Sequence, residues 1–562
     1  MTSPLISSGD DPKSSFTSRQ QEWMVIVAVF LSFLLFSALR SPVPGVNEPH
    51  YLAKAKHFWN ADWCHGDFFL NSANAHHVFY QTVGAFTQWL TLDQTAWLGR
   101  VIGFFVLSLG WTKLISRVVP GRWSSLWTAW VFLAIVAIGS ATRKPMLPDI
   151  EFYAFNLSGE WIIGGIEGKV FSYGFVFWAL GFIADRRWTS AAVCAGLSIS
   201  FHPVVGIWGL LCGLFSAGVM LWTGHRPDPL LRRVAGILKT ACLPTVVLVA
   251  SAIPGLIPAL QLLEIRDSQA IHEAEFIQVF ERLAHHLDPM TFKIGDYASY
   301  LFLILFWLSA RRRIRCYLPH ERFFAGFVAG TICIAVMGLL LGFHIGPPQE
   351  MLFAELRTRL LKFYPFRPCD VFVPIAASVV LVGMIKDWSE NISSERIDTI
   401  VEQRHWLRWP IFGSLMLTAL LLPSTDRNPS RMEEQPLADW QDVCRWIERN
   451  TKDESLFFTP SESWAFKWYA SRSEFFSYKD CPQDAAGILE WQRRRQFVQH
   501  WRQTHREQGM TTRSLHQLQE ATGVTHIVTK RYEPFDIKPI YWNDSYKVYE
   551  IPNVSGGRPE YE

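Results

Sequence analysis

The chain has 562 residues, of which 49% are hydrophobic and only 18% charged; a soluble protein of this length carries about a quarter charged residues. A net charge of +3 argues against a nucleic-acid partner, and the nine Cys form no CxxC pair. The apolar residues are clustered and 25 Trp accompany them, as expected of a protein that crosses a bilayer many times and carries a soluble part.

Residues 1–22 read as a polar N-terminal tail on the cytoplasmic side. The first apolar run, 23–40, follows that tail, lacks a small-residue cleavage site and reads as a span, not a signal peptide. The stretch "SPVPGVNEPHYLAKAKHFWNADWCHGDFF" comes next and opens the first loop, 41–95. Tyr51, Leu52, Ala55, Phe58 and Trp59 recur at helical spacing, which predicts an amphipathic helix lying flat on the outer face, with Glu48 at its start. Glu48 is either an acid favoured by the helix dipole or a general base at the water–lipid boundary, where desolvation raises a carboxyl pKa. Residues 76–93 are helical in pattern but polar, and read as an amphipathic or half-inserted segment.

Further spans are expected near 96–116, 124–140, 170–184, 189–201, 204–222, 236–258, 297–310, 323–345, 371–386 and 409–423. His202-Pro203 interrupts a pair of them, so 189–222 also reads as one long kinked helix. If the spans alternate from a cytoplasmic N-terminus, most Lys and Arg fall in the inner loops. The cluster Arg311, Arg312, Arg313, Arg315 and Arg322 is one example, and the positive-inside rule then places the loops 41–95 and 141–168 and the C-terminal region outside.

The loop 141–168 is rich in acids: Asp149, Glu151, Glu160 and Glu167. Lys169 follows and either binds a lipid phosphate or snorkels. His202, at the outer end of its span, is a functional candidate as an intramembrane ionisable residue, with a structural hydrogen bond as the alternative. The last outer loop holds Arg357, Arg359, Lys362 and Arg367 on the side that should be poor in bases. Either they pair with Glu350, Glu355 and Asp370, or they bind an anion such as a polyprenyl phosphate. No His, Asp and Glu cluster has metal-ligand spacing, so neither metal nor cofactor is expected. After about residue 423 the composition turns soluble. "SLFFTP", "SEFFSY", "THIVTK" and "YKVYEI" read as strands among helices, a small α/β layer over 424–562 with no phosphate-binding Gly-rich loop.

Together these features resemble the GT-C superfamily of membrane glycosyltransferases. "NEPHYLAKAKHF" looks like that superfamily's first-loop pattern, with Asn47-Glu48 where an acidic pair is usual, and "LPDIEF" occupies the place of its second acidic loop. The whole chain is also similar to an uncharacterised bacterial membrane-protein family through "NEPHYL", "GGIEGKVFSYGF", "SFHPVVG", "KFYPFRPCD" and "TPSESWAFKWYASRSEFFSYKDCP". The resemblance implies a mainly α, polytopic bundle of about 10–12 spans (23–423) in the plasma membrane, with a C-terminal extracytoplasmic α/β domain. It implies transfer of a sugar from a polyprenyl-phosphate donor in the bilayer to an outer-face acceptor. Glu48, with Asp149 or Glu151, would be catalytic, and Lys169, His202, Arg357, Arg359 and Arg367 would bind the donor. The rival is a non-catalytic membrane scaffold, lipid-binding protein or transporter; the chain shows no internal repeat of the kind transporters carry.

Overall fold

The computed structural model describes residues 18–45, 47–141, 155–223, 230–262, 267–314, 320–394, 408–422, 432–460, 463–508, 511–530 and 536–552. Six helices among them are long and apolar enough to cross a membrane, and four shorter apolar helices accompany them. The chain is therefore a polytopic helical membrane protein. Its long helices are α1 (Ser18–Arg40), α4 (Leu92–Val118), α5 (Ser124–Ala141), α6 (Gly168–Ala184), α7 (Trp188–Phe201), α8 (Pro203–Thr223), α9 (Leu230–Gln261), α12 (Ile294–Arg311), α13 (Glu321–Gly342), α15 (Arg367–Ser394) and α16 (Arg408–Leu421). Short helices lie between them: α2 (Glu48–Trp59), α3 (His77–Gln81), α10 (Ser268–Phe276), α11 (Ala284–Leu287) and α14 (Ala354–Leu361).

Every expected span forms a helix, and 76–93 does not cross: it folds as α3 and a 3₁₀ turn, Val83–Gln88, ahead of α4. The kinked-helix alternative for 189–222 is not realised. His202 is extended (φ −153°, ψ 95°), and a Cβ on Gly206 would lie 2.4 Å from the Ile199 nitrogen. The chain reverses there, and α7 and α8 pack side by side. Proline at the first position of α8 costs no helix bond, because its N–H would be unsatisfied in any case.

The bundle has two chemically different ends. At one end Lys113 and Arg117 meet Asp185, Arg311 meets Glu321, and Arg408 meets Glu390. The other end carries the turns 41–91 and 155–167 and the C-terminal region. That region adds α17 (Glu434–Asn450), α18 (Phe466–Ala470), α19 (Ala485–Gln508) and α20 (Thr512–Thr522) around a five-stranded sheet. The strands are β1 (Leu456–Phe458), β2 (Ser473–Glu474), β3 (His526–Lys530), β4 (Tyr541–Trp542) and β5 (Tyr546–Glu550), in the order β2-β1-β3-β5-β4. β1 runs parallel to β2 and β3, and β5 antiparallel to β3 and β4. Strand period 2 sends neighbours to opposite faces: Phe457 and Val528 pack with Trp440 of α17, while Phe458 and Ile527 pack with Trp501 and Leu515 of α19 and α20.

α2 departs from the expected surface helix. Its Leu52, Ala53, Lys54 and His57 are all buried. Loop 60–75 covers the polar side and satisfies it: Lys54 Nζ donates to Phe69 O (2.8 Å) and Ser72 Oγ (2.6 Å), and His57 bonds Trp63 O and Asn71.

Two helices that carry residues of the tail-bearing end, α4 and α6, meet through glycines: a Cβ on Gly110 would fall 2.1 Å from the Gly174 carbonyl oxygen. No side chain fits there. Gly110→Val should therefore cost at least about 1–3 kcal/mol from overpacking, and should be seen as a lower thermal midpoint and less monodisperse protein in detergent; an unchanged midpoint would refute this packing.

Candidate functional site

A single buried ion pair holds the tail-bearing end together. Glu48 opens α2 and Arg100 sits a little over two turns into α4; both are 0% exposed. Arg100 Nε and Nη2 grip the two carboxylate oxygens at 2.7 and 2.8 Å. The remaining lone pairs accept from Ile166 N (2.8 Å) and Gly45 N (2.6 Å). Arg100 Nη1 then donates to Ser41 O (2.7 Å) and Ser37 Oγ (3.2 Å), and Ser37 Oγ donates to Gly164 O (2.6 Å). Four separate segments are tied by one carboxylate and one guanidinium.

The second acid loop is pinned at its other end by Asp370 of α15. Its carboxylate accepts from Leu157 N and Ser158 N (both 2.8 Å), Ser158 Oγ (2.7 Å) and Glu160 N (3.3 Å). Held at both ends, 155–167 forms one wall of a cavity of about 1320 Å³.

The polar part of this cavity is a charge network. Glu160 bridges Lys169 (3.2 Å) and Arg367 (2.9 Å), and Glu167 holds Lys169 at 3.0 Å. Arg367 also lies 3.2 Å from His202 Nε2 and stacks on Tyr364 at 3.9 Å; Lys169 sits 4.0 Å above the Trp161 ring. His50, Arg282 and Lys479 also line the cavity. His50 Nδ1 is 2.9 Å from Asp480, which also meets Lys467 at 2.7 Å. Burial lowers the His50 pKa against the pull of Asp480. Burial would raise the Asp480 carboxyl, but Lys467 and His50 outweigh it and hold it well below the usual carboxylate range. Burial pushes His76, also in the lining, down to about 4, so it is neutral at physiological pH. The apolar part of the cavity is lined by Phe132 and Val136 of α5, Ile207 and Leu211 of α8, Leu256 and Leu260 of α9, and Met337 of α13.

The structure brings Lys169, His202 and Arg367 together, as neighbours in the cavity. Glu48 is not among the lining residues; it stands behind the wall, with both oxygens occupied. Arg357 and Arg359 are also elsewhere. Arg357 donates to the carbonyls of Leu341 in the last turn of α13 and of Phe343 and Leu352 beyond it, and Arg359 is half-exposed, 3.5 Å from Glu275. The expected pairing with Glu350, Glu355 and Asp370 gives way to pairing of Arg359 and Lys362 with Glu275 and of Arg367 with Glu160. Asp149 and Glu151 lie outside the described residues. Among the described residues no cluster of His, Cys, Asp and Glu has the geometry to hold a metal.

Five functional candidates escaped the sequence reading, and His50, one histidine among several in the first loop, is one of them. Arg100 stands inside an apolar run, and an arginine in a span is itself a signal that it has a partner. Arg282, Lys479 and Asp480 lie in segments with normal soluble composition, where one more charge carries no signal.

Residues 438–498 match the model of a domain of unknown function, DUF6798. No curated protein matches the chain. Among solved structures, the chain is similar to the crystal structure of ArnT from Cupriavidus metallidurans bound to undecaprenyl phosphate, at 12% identity over 96% of this chain and 100% of that one, with a TM-score of 0.49. It is similar to the same protein in the apo state at 13% identity over 95% and 98%, with a TM-score of 0.46. The likeness to ArnT extends over nearly the whole chain but is distant in sequence. At this identity and these scores it lends no support to any residue's role, donor or acceptor.

The buried pair makes a sharp prediction. Arg100→Leu strands the Glu48 carboxylate without its countercharge, at a cost of about 3–5 kcal/mol. Adding Glu48→Gln should recover part of that loss. Thermal unfolding of both variants in detergent checks it; a double variant no more stable than Arg100→Leu would show that the two residues act independently.

Proposed function

We propose that this chain is a membrane glycosyltransferase that moves a sugar from a polyprenyl-phosphate donor to an acceptor on the outer face. The observation that carries this reading is the cavity itself. It joins a polar network with more cations than carboxylates to apolar walls on spanning helices, the two surfaces that a lipid-linked sugar phosphate presents. The sugar meets Glu160, Glu167, Lys169, Arg367 and His202, and the polyprenyl chain lies against α5, α8, α9 and α13.

In the transfer the acceptor oxygen bonds the anomeric carbon as the carbon–oxygen bond to phosphate breaks, and the acceptor loses a proton. Glu48, with both oxygens engaged behind the wall, is proposed as the anchor of the site and not its base. Among the described residues His50 is the best-placed proton acceptor: it lines the cavity, Asp480 fixes its Nδ1, and no protein group bonds its Nε2. Asp149 or Glu151, just ahead of the cavity wall in sequence, is the assisting acid. The burial of Glu48 is also the observation that favours the second reading, a lipid-binding scaffold without catalysis.

The test that separates the two is genetic. Removal of the chain should deplete an envelope glycan, restored by the wild-type gene and not by His50→Gln, which should lower transfer roughly 100-fold or more at a normal protein level. Restoration by His50→Gln would remove that residue from the mechanism, and an unchanged envelope in the deletion strain would favour the scaffold.

The tail-bearing end is proposed to face outward. A membrane-impermeant thiol reagent on intact cells should label Asp453→Cys in the tail and spare Arg312→Cys at the basic end. The reverse pattern would invert the topology and place the site on the cytoplasmic side.

A further inference from the structure

Among the described residues, Arg282 and Lys479 line the cavity without an ion pair to a carboxylate. Arg282 ends the π-helical turn Ile277–Arg282 and is 8% exposed. Its Nη2 donates to the Lys479 carbonyl at 3.2 Å, its guanidinium lies 4.5 Å from the centroid of the Tyr478 ring, and its buried Nε has no hydrogen-bond partner. Lys479 is the adjoining residue of the C-terminal region. Its ammonium makes no ion pair among the described residues and lies 5.6 Å from the Trp464 ring. Burial and the neighbouring Arg282 lower its pKa to about 8, which leaves it mostly charged at neutral pH. Lys169 and Arg367 differ in kind, because Glu160 and Glu167 already neutralise them.

A buried charge without a partner is unfavourable, and a pair of like charges more so. Their presence in a cavity wall is explained by an anion that enters it. We propose that Arg282 and Lys479 form the phosphate subsite of the cavity, taking the phosphate of the lipid-linked donor while the neutralised Glu160–Lys169–Arg367–Glu167 network receives the sugar. This rests on reading the cavity as the polyprenyl-phosphate site.

The charge arithmetic of the reaction fits the pair. The donor phosphodiester carries one negative charge. When the bond from the anomeric carbon to its oxygen breaks, the electron pair stays on that oxygen, and the lipid leaves as a monoester of about −1.5 to −2. The acceptor oxygen closes the new bond to carbon, and its proton passes to His50. Two uncompensated cations bind the monoester more strongly than the diester, so they favour the leaving group over the ground state.

The experiment measures binding to the full chain in nanodiscs with three probes: polyprenyl monophosphate, the matching neutral polyprenol and inorganic phosphate. Arg282→Gln and Lys479→Gln should each weaken monophosphate binding about 10- to 100-fold and leave polyprenol binding unchanged. Lys479→Arg, which keeps the charge, should retain most of the affinity. Variants that bind the monophosphate as the wild type does would overturn the subsite while leaving the lipid reading intact. A wild type that prefers the monophosphate no more than polyprenol would overturn both. Inorganic phosphate binding as tightly as the lipid would overturn the lipid headgroup as its source. If Arg282→Gln does not fold, Lys479→Gln decides alone, and its unchanged affinity refutes the proposal.

Discussion

The buried Glu48–Arg100 pair is the constraint on which the tail-bearing end depends. A carboxylate and a guanidinium out of water are tolerable only when every lone pair and N–H finds a partner. Here the partners are drawn from the end of α1, the turn before α2 and the loop before α6. The satisfaction of two charges therefore dictates where three backbone segments run. Asp370 repeats the device from α15, taking the backbone N–H groups at the other end of the same loop. Between the two anchors, Glu160 and Glu167 are presented to the cavity at fixed positions, and the bases that face them are held in turn. Such a site is organised before any ligand arrives, which limits the reorganisation that binding or reaction requires.

The C-terminal region is part of this arrangement and not an appendage. Lys467 reaches Asp67, Glu474 and Asp480 at 3.3, 2.7 and 2.7 Å, joining the first loop to the sheet. Burial lifts Glu474 to about 7 against the pull of Lys467. Trp468 donates to Asp93 at the start of α4, and Ser473 to the His65 carbonyl. With the His50–Asp480 and Arg282–Lys479 bonds, they bring His50, Arg282 and Lys479, contributed by three stretches of chain, to one wall of the cavity.

The spans were legible because hydrophobic length is a strong and local signal. The tail strands were legible too, apart from β4, whose two residues are too few to show a period. The readings that went astray share a cause: a charged residue was judged by its neighbours in sequence. Glu48 looked poised at a surface because Lys54 and His57 looked exposed, but loop 60–75 covers them. Arg357 and Arg359 looked like a phosphate clamp because they crowd one loop, yet α14 turns Arg357 toward carbonyls and Arg359 toward Glu275, away from the cavity. Lys169, His202 and Arg367, singled out in the sequence, each stand at the end of a span and lie together in the cavity. The partners of a charge are a long-range property, and composition alone does not reveal them.

His50 and Asp480 are 430 residues apart in the chain. During synthesis the first loop is in place long before the segment that completes it exists. His50 and Asp67 must wait, solvated, until the last part of the chain has folded against them. A nascent or truncated chain thus presents the helices and the apolar walls but no finished polar wall. The cavity is complete only with the final stretch of polypeptide, so a partly made copy in the membrane has an unfinished one.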